Sequence, residues 1–275
     1  MYGCTGDLIL HLLYIDYPKF IISQTKAVVM MKKISFLLLL IGVNFTSYAM
    51  DSLKNRQEQL INQLLSQQVQ QNISIENSVG SLIKRYPENA QSILKLAFKK
   101  YPNQYEAIIS STIHAEPALS AAAVTAALQA NVAECHDIVK IAINAEPAYA
   151  NEIIQAAIRN SADPIQNIVR VAVSTEPFIS DSIIENIKNE NSESMLNVFI
   201  GIIKALPDHV VSLVKKTLKL YPKNSEAVVT KAIYSSKSKF DQQIVEAAVK
   251  SGLTKERAIA AAIKGGAKEE KFALL

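Results

Sequence analysis

Tryptophan is missing from the 275 residues, and cysteine occurs only twice, at Cys4 and Cys135. Beyond residue 49 only Cys135 remains, so no disulfide can close within the chain from Met50 onward. Between residues 81 and 251 the sole glycine is Gly201. That scarcity excludes a glycine-rich loop cradling phosphate and a Gly-x-Ser-x-Gly nucleophile elbow in this stretch. The three histidines after residue 49, His114, His136 and His209, lack the His-x-x-x-His spacing of a zinc site, and there is no Cys-x-x-Cys. No metal and no cofactor is expected. Cys135 falls on an apolar stripe, where a thiol serves as a small buried hydrophobe. His136 and Asp137 are neighbours in sequence and, about 100° apart on a helix, are expected not to face each other. Asp181 and Glu185, at i and i+4, share a helix face, as carboxylates on solvated helices often do. No catalytic residue emerges, and the chain reads as a non-enzyme.

What the sequence does contain is proline at a fixed interval. Pro87, Pro117, Pro147, Pro177 and Pro207 are 30 residues apart, and Pro102 and Pro222 fall on the half-period of 15. A spacing this regular marks one small unit copied many times. Written in fifteens from Pro87, apolar or small residues recur at unit positions 4, 7, 8, 11 and 12, the stripe of a helix with one buried face. Strands are excluded by the same pattern. Proline at position 1 suits the first turn of a helix and biases the residue before it out of the helical region. Position 8 carries bulk, as in Leu94, Ile109, Val124 and Ile154. Position 11 is small, as in Ala97, Thr112, Ala127, Ala142 and Thr217, so that neighbouring helices approach closely.

The frame extends backward to 72–86 and forward, after a one-residue slip, through 238–252 to 253–267, where Gly265 and Gly266 stop the last helix. The fold class predicted is all-α: an α/α solenoid of about 13–14 short antiparallel helices, with a 30-residue repeat made of two 15-residue helical units. Turns are expected at the prolines and at the equivalent Val132, Ser192 and Lys237. Ile93, Ile109, Ile138, Ile154, Ile168, Ile184 and Val229 are predicted to be buried, and Lys95, Lys140, Gln155, Arg170 and Glu185 exposed. The junctions YPENAQSI, YPNQYEAI and YPKNSEAV resemble the Pro-x-Asn-x-x-Ala turn of tetratricopeptide repeats. The resemblance covers the junctions only: the unit has 30 residues rather than about 34, and the Trp, Leu-Gly and Tyr signature is missing. It implies the general α-solenoid class and carries over no binding residue.

The amino end is of another kind. Residues 31–49 read as a secretory signal: Lys32 and Lys33 supply positive charge, Ile34 to Phe45 an apolar stretch, and Ser47-Tyr48-Ala49 a cleavage site before Met50. Its twelve apolar-region residues fall short of the ~20 that span a bilayer, so no transmembrane span is expected after cleavage. Residues 1–30, without the repeat, read as an upstream extension, with translation expected to start at Met30 or Met31. Residues 50–71, glutamine-rich with Leu53, Leu60, Ile61, Leu64, Leu65 and Val69 on one stripe, read as a polar capping helix, or alternatively as an arm for self-association. Residues 72–275 form the repeat domain.

Charge is uneven: +3 over 50–102, −7 over 103–206 and +6 over 207–275. The densest basic cluster is Lys215, Lys216, Lys219, Lys223 and Lys231, the candidate contact for a polyanion or membrane surface. Nucleic acid is not expected, since the balance is modest and aromatic residues are not interleaved. In 192–206, Leu196 and Ile200 occupy positions 5 and 9, which elsewhere are mostly polar. They are the candidate partner surface, the competing reading being enclosure by neighbouring units. The tail 267–275 has Phe272, Leu274 and Leu275 available to fold back on the last helix. Together these point to a periplasmic or secreted bacterial scaffold or adaptor that binds a protein or peptide along positions 5, 6, 9 and 13. The alternative is an envelope polyanion or membrane-surface binder using its basic carboxyl-terminal third.

Overall fold

A computed structural model describes residues 56–187, 191–237 and 239–273. Fourteen α-helices lie in these residues, and no strand. They are α1 (56–70), α2 (Ile75–Arg85), α3 (Ala90–Lys100), α4 (Tyr105–Ala115), α5 (Ser120–Gln129), α6 (Cys135–Ala145) and α7 (Ala150–Asn160). There follow α8 (Ile165–Thr175), α9 (Ser180–Asn186), α10 (Ser192–Ala205), α11 (Val210–Leu220), α12 (Ser225–Ser236), α13 (Asp241–Lys250) and α14 (Lys255–Lys264). The residues read as an upstream extension and as a signal segment, with the expected cleavage position Ala49–Met50, and also Leu53, Leu274 and Leu275, lie outside the described residues.

Proline acts slightly differently from expectation. Each of the seven periodic prolines opens a three-residue 3-10 turn, such as Pro87–Asn89 or Pro147–Tyr149, and the α-helix begins at unit position 4. At each of these junctions the same two hydrogen bonds recur. The residue before proline donates its N–H to the carbonyl four back, as Tyr86 does to Leu82 and Glu146 to Ala142. Its own carbonyl then accepts from the residue three ahead, Asn89 or Tyr149. Between the two bonds the residue before proline leaves the helical region, with φ −156° and ψ 87° at Glu146 and φ −137° and ψ 59° at Tyr86, because the proline ring excludes that region for its predecessor. The first N–H of a helical turn has no intrahelical acceptor, so its absence at proline costs nothing. Tyr86, Tyr101, Glu116, Glu146, Glu176, Leu206 and Tyr221 all close one helix in this way while the next one opens.

Junctions without a leading proline use other chemistry. Asn72, Asn131 and Lys237 turn the chain with φ between 49° and 63°, and Gly252 with φ 103°. Ser74, Asn191 and Thr254 cap the next helix by accepting the N–H of Asn77, Ser194 and Arg257. Val132 and Lys237 lie in turns as expected, whereas Ser192 is already the first residue of α10.

Helices pack in two layers, even-numbered in one and odd-numbered in the other: from α2 to α14 each even helix packs on the next even one, α3, α5, α7 and α9 likewise follow one another, as do α11 and α13, and most sequence neighbours also touch across the layers. The stripe at positions 4, 7, 8, 11 and 12 fills the space between. In α3 these are Ala90, Ile93, Leu94, Ala97 and Phe98, all buried. All seven residues predicted to be inside are buried, each isoleucine removed from water contributing about 1.5–3 kcal/mol. Lys95, Lys140, Arg170 and Glu185 are exposed. Gln155 differs in being half-buried, because it lines a cleft of about 130 Å³ where α7 meets α9 and α10. Phe272 is buried, so the carboxyl-terminal turn Glu269–Phe272 does fold back, against α13 and α14. In α1, Ile61 and Leu65 are buried and Leu60 is exposed.

Candidate binding face

The outward face of the even layer carries two open grooves. Between α6 and α8 is a groove of about 700 Å³, lined by His136, Asp137, Lys140 and Asn144 on one wall. Asp163, Asn167, Arg170 and Ser174 form the other. Between α12 and α14 is a groove of about 760 Å³, with Lys223, Glu226, Thr230 and Lys231 facing Arg257, Ala260, Ala261 and Lys264. The two differ in charge. In the first, Lys140 and Arg170 balance Asp137 and Asp163. In the second, four cations face a single carboxylate, and Glu226 is already paired with Arg257, Nε to Oε1 2.6 Å.

Between the grooves lies α10, apolar on nearly every side. Ile200 is buried and Leu196 half-buried, so of the candidate pair Leu196 is the one open to a contact. Gly201 explains the close approach on this side. A Cβ there would sit 2.7 Å from the Gln166 carbonyl oxygen and 2.8 Å from Val169 Cβ of α8. Lys204 reaches across the same seam to Gln166, Nζ to Oε1 2.9 Å.

The lysine cluster, contiguous in sequence, is divided in space. Lys215, Lys216 and Lys219 belong to α11 in the odd layer, whereas Lys223 and Lys231 line the α12–α14 groove. Lys216 is neutralised in place, its Nζ 2.8 Å from Asp181 and 2.9 Å from Glu185 on α9. Burial works to lower its pKa, but the hydrogen bonds and charges of the two carboxylates outweigh it and hold it above its ordinary value. The Asp181–Glu185 pair is thus a clamp between helices. Beside it Tyr221 donates its hydroxyl to the Ile184 carbonyl at 2.6 Å, and burial and then the Glu185 charge raise its pKa.

Cys135 is buried, and desolvation foremost raises its pKa, with Ser161 pulling the other way. It is a neutral thiol at physiological pH and a poor nucleophile. His114, His136 and His209 are exposed on three separate elements. Contrary to the expectation from helical geometry, His136 Nε2 lies 3.4 Å from Asp137 Oδ1, with both side chains solvent-accessible. No group of three metal-ligating side chains occurs among the described residues. No single helix among them is long and apolar enough to cross a membrane.

Arg257 and Lys264 were missed by motif reading. The available signal was the repeat itself: Arg257 stands 31 residues after Glu226, about one period, on the neighbouring helix of the same layer. The chain matches no protein-family model, no curated protein and no solved structure.

Proposed function

We propose that this chain is an exported, non-enzymatic scaffold of the bacterial cell envelope that holds an extended segment of a protein partner along its even-numbered helices. Export rests on the signal-like residues 31–49. The observation that carries the binding reading is the pair of open grooves on one layer, on either side of the half-buried Leu196. Three steps of that layer separate them, roughly 30 Å at ~10 Å per packed helix. An extended chain of about nine residues, at ~3.3 Å each, covers that distance. Both grooves offer hydrogen-bonding side chains beside small apolar ones, the mixture an extended peptide needs.

The alternative, a polyanion or membrane-surface contact by the five lysines, has less in its favour. Three of them, Lys215, Lys216 and Lys219, lie on the opposite layer from Lys223 and Lys231, and Lys216 is already paired.

The test is site-specific photo-cross-linking in the cell that makes the protein. A cross-linker at Asn167, exposed on the even face, is expected to capture a protein partner, and one at Lys95, exposed on the odd face, is not. Capture from Lys95 alone, or equally from both, contradicts the assignment.

A further inference from the structure

We propose that the α12–α14 groove is selective for acidic residues, and that the segment it holds carries at least two carboxylates; this deepens the peptide-face reading above and rests on it. Cations enter the groove from three elements: Lys223 from the turn Pro222–Asn224, Lys231 from α12, and Arg257 and Lys264 from α14. Glu226 is engaged by Arg257 at 2.6 Å. Lys223, Lys231 and Lys264 are exposed and carry no ion pair among the described residues. The groove therefore holds like charges facing one another across one helix spacing, and an anion between them relieves that repulsion.

The lining decides the form of the ligand. Ala227, Ala260 and Ala261 stand among the cations, small enough for a peptide backbone to settle between the two helices while the lysine stems reach over it. A bilayer presents its headgroups in a plane and meets only the rim of such a cleft. The α6–α8 groove of similar size is charge-balanced, so the acidic requirement belongs to one end of the face and gives the bound segment a direction.

The experiment measures fluorescence anisotropy of two end-labelled ten-residue peptides with the full chain, one alternating Ser and Glu and the other alternating Ser and Gln. Binding to the Glu peptide is expected to be at least about tenfold tighter, and to weaken as salt rises through the physiological range. The double variant Lys231→Glu/Lys264→Glu should lose it by about tenfold or more. Lys215→Glu/Lys219→Glu makes the same charge change on the opposite layer and should retain it, provided helical circular dichroism shows both variants folded. Equal affinity for the two peptides overturns the proposal, as does equal loss in the two double variants. So does binding of phosphatidylglycerol vesicles, sensitive to Lys231→Glu/Lys264→Glu, without binding of the Glu peptide. If a random peptide library yields binders that Asn167→Lys abolishes and Lys231→Glu/Lys264→Glu leaves intact, the acidic groove falls while the peptide face stands. If no peptide binds at all, both fall.

Discussion

Lys271 Nζ lies 2.8 Å from Asp241 Oδ2, and the Asp241 side chain has no exposure to solvent. The two residues are 30 apart, so the carboxyl-terminal turn occupies the place where another repeat would continue the odd layer. Gln242 strengthens the seam by donating to the Lys271 carbonyl at 2.7 Å. Truncating Lys271 to alanine leaves a buried carboxylate without its cation. The cost expected is about 3 kcal/mol, the lower end for a buried pair, because Lys271 is itself partly exposed. Urea unfolding monitored by circular dichroism checks this, and the pair Lys271→Met with Asp241→Asn should recover much of the loss.

Two glycines on even helices should respond in opposite ways to alanine. At Gly201 the added methyl meets backbone and Cβ atoms of α8 at 2.7 and 2.8 Å, so α10 must move away. A loss of about 1–3 kcal/mol is expected from such overpacking. At Gly80 in α2 the nearest atoms are 3.7 and 3.8 Å away, ordinary contact. There alanine should be neutral or stabilising by up to about 1 kcal/mol, from its higher helix propensity. Thermal melts of the two variants side by side decide the matter.

Alkaline pH should weaken the junction of α9 with α11. Lys216 and Tyr221 both have folded pKa values raised above their ordinary 10.5 and 10.0. Above about pH 10 the unfolded chain releases these protons while the folded chain keeps them, so stability is fully present below that range and falls as pH rises through it. Both groups act in the same direction. Tyr221→Phe loses the bond to the Ile184 carbonyl at every pH and should show a smaller decline between pH 9 and 11, read as the change in urea midpoint. A decline as steep as the parent's would assign it elsewhere.

The helices were legible because proline spacing and the apolar stripe are local signals, each readable within 15 residues. What stayed hidden depends on residues about 30 apart whose meeting is set by how helices slide past one another. Asp241, polar and at a helix start, has the sequence character of a solvated residue and is buried where the 269–272 turn packs against α13. Lys216 and Lys223, seven residues apart, look like one patch and part to opposite layers because the Tyr221-Pro222 turn reverses the chain between them. The seven-residue α9 likewise follows a proline like the others, and nothing in its stripe marks where it stops.

The claim on which the binding face depends is that each helix leans only on its neighbours. It is tested most directly by residue-resolved hydrogen exchange on Ile154→Asp and Ile259→Asp. Ile154 is buried in α7, and a charge there costs several kcal/mol, on the order of 3–5. Ile259 is half-buried in the terminal α14. The result expected is lost protection in α5 to α9 for Ile154→Asp, with α2, α3 and α11 to α13 still protected, and fraying confined to α14 and its immediate neighbours for Ile259→Asp. Uniform loss along the whole chain in both variants would contradict the stack and remove the structural basis for a binding face built from its even helices.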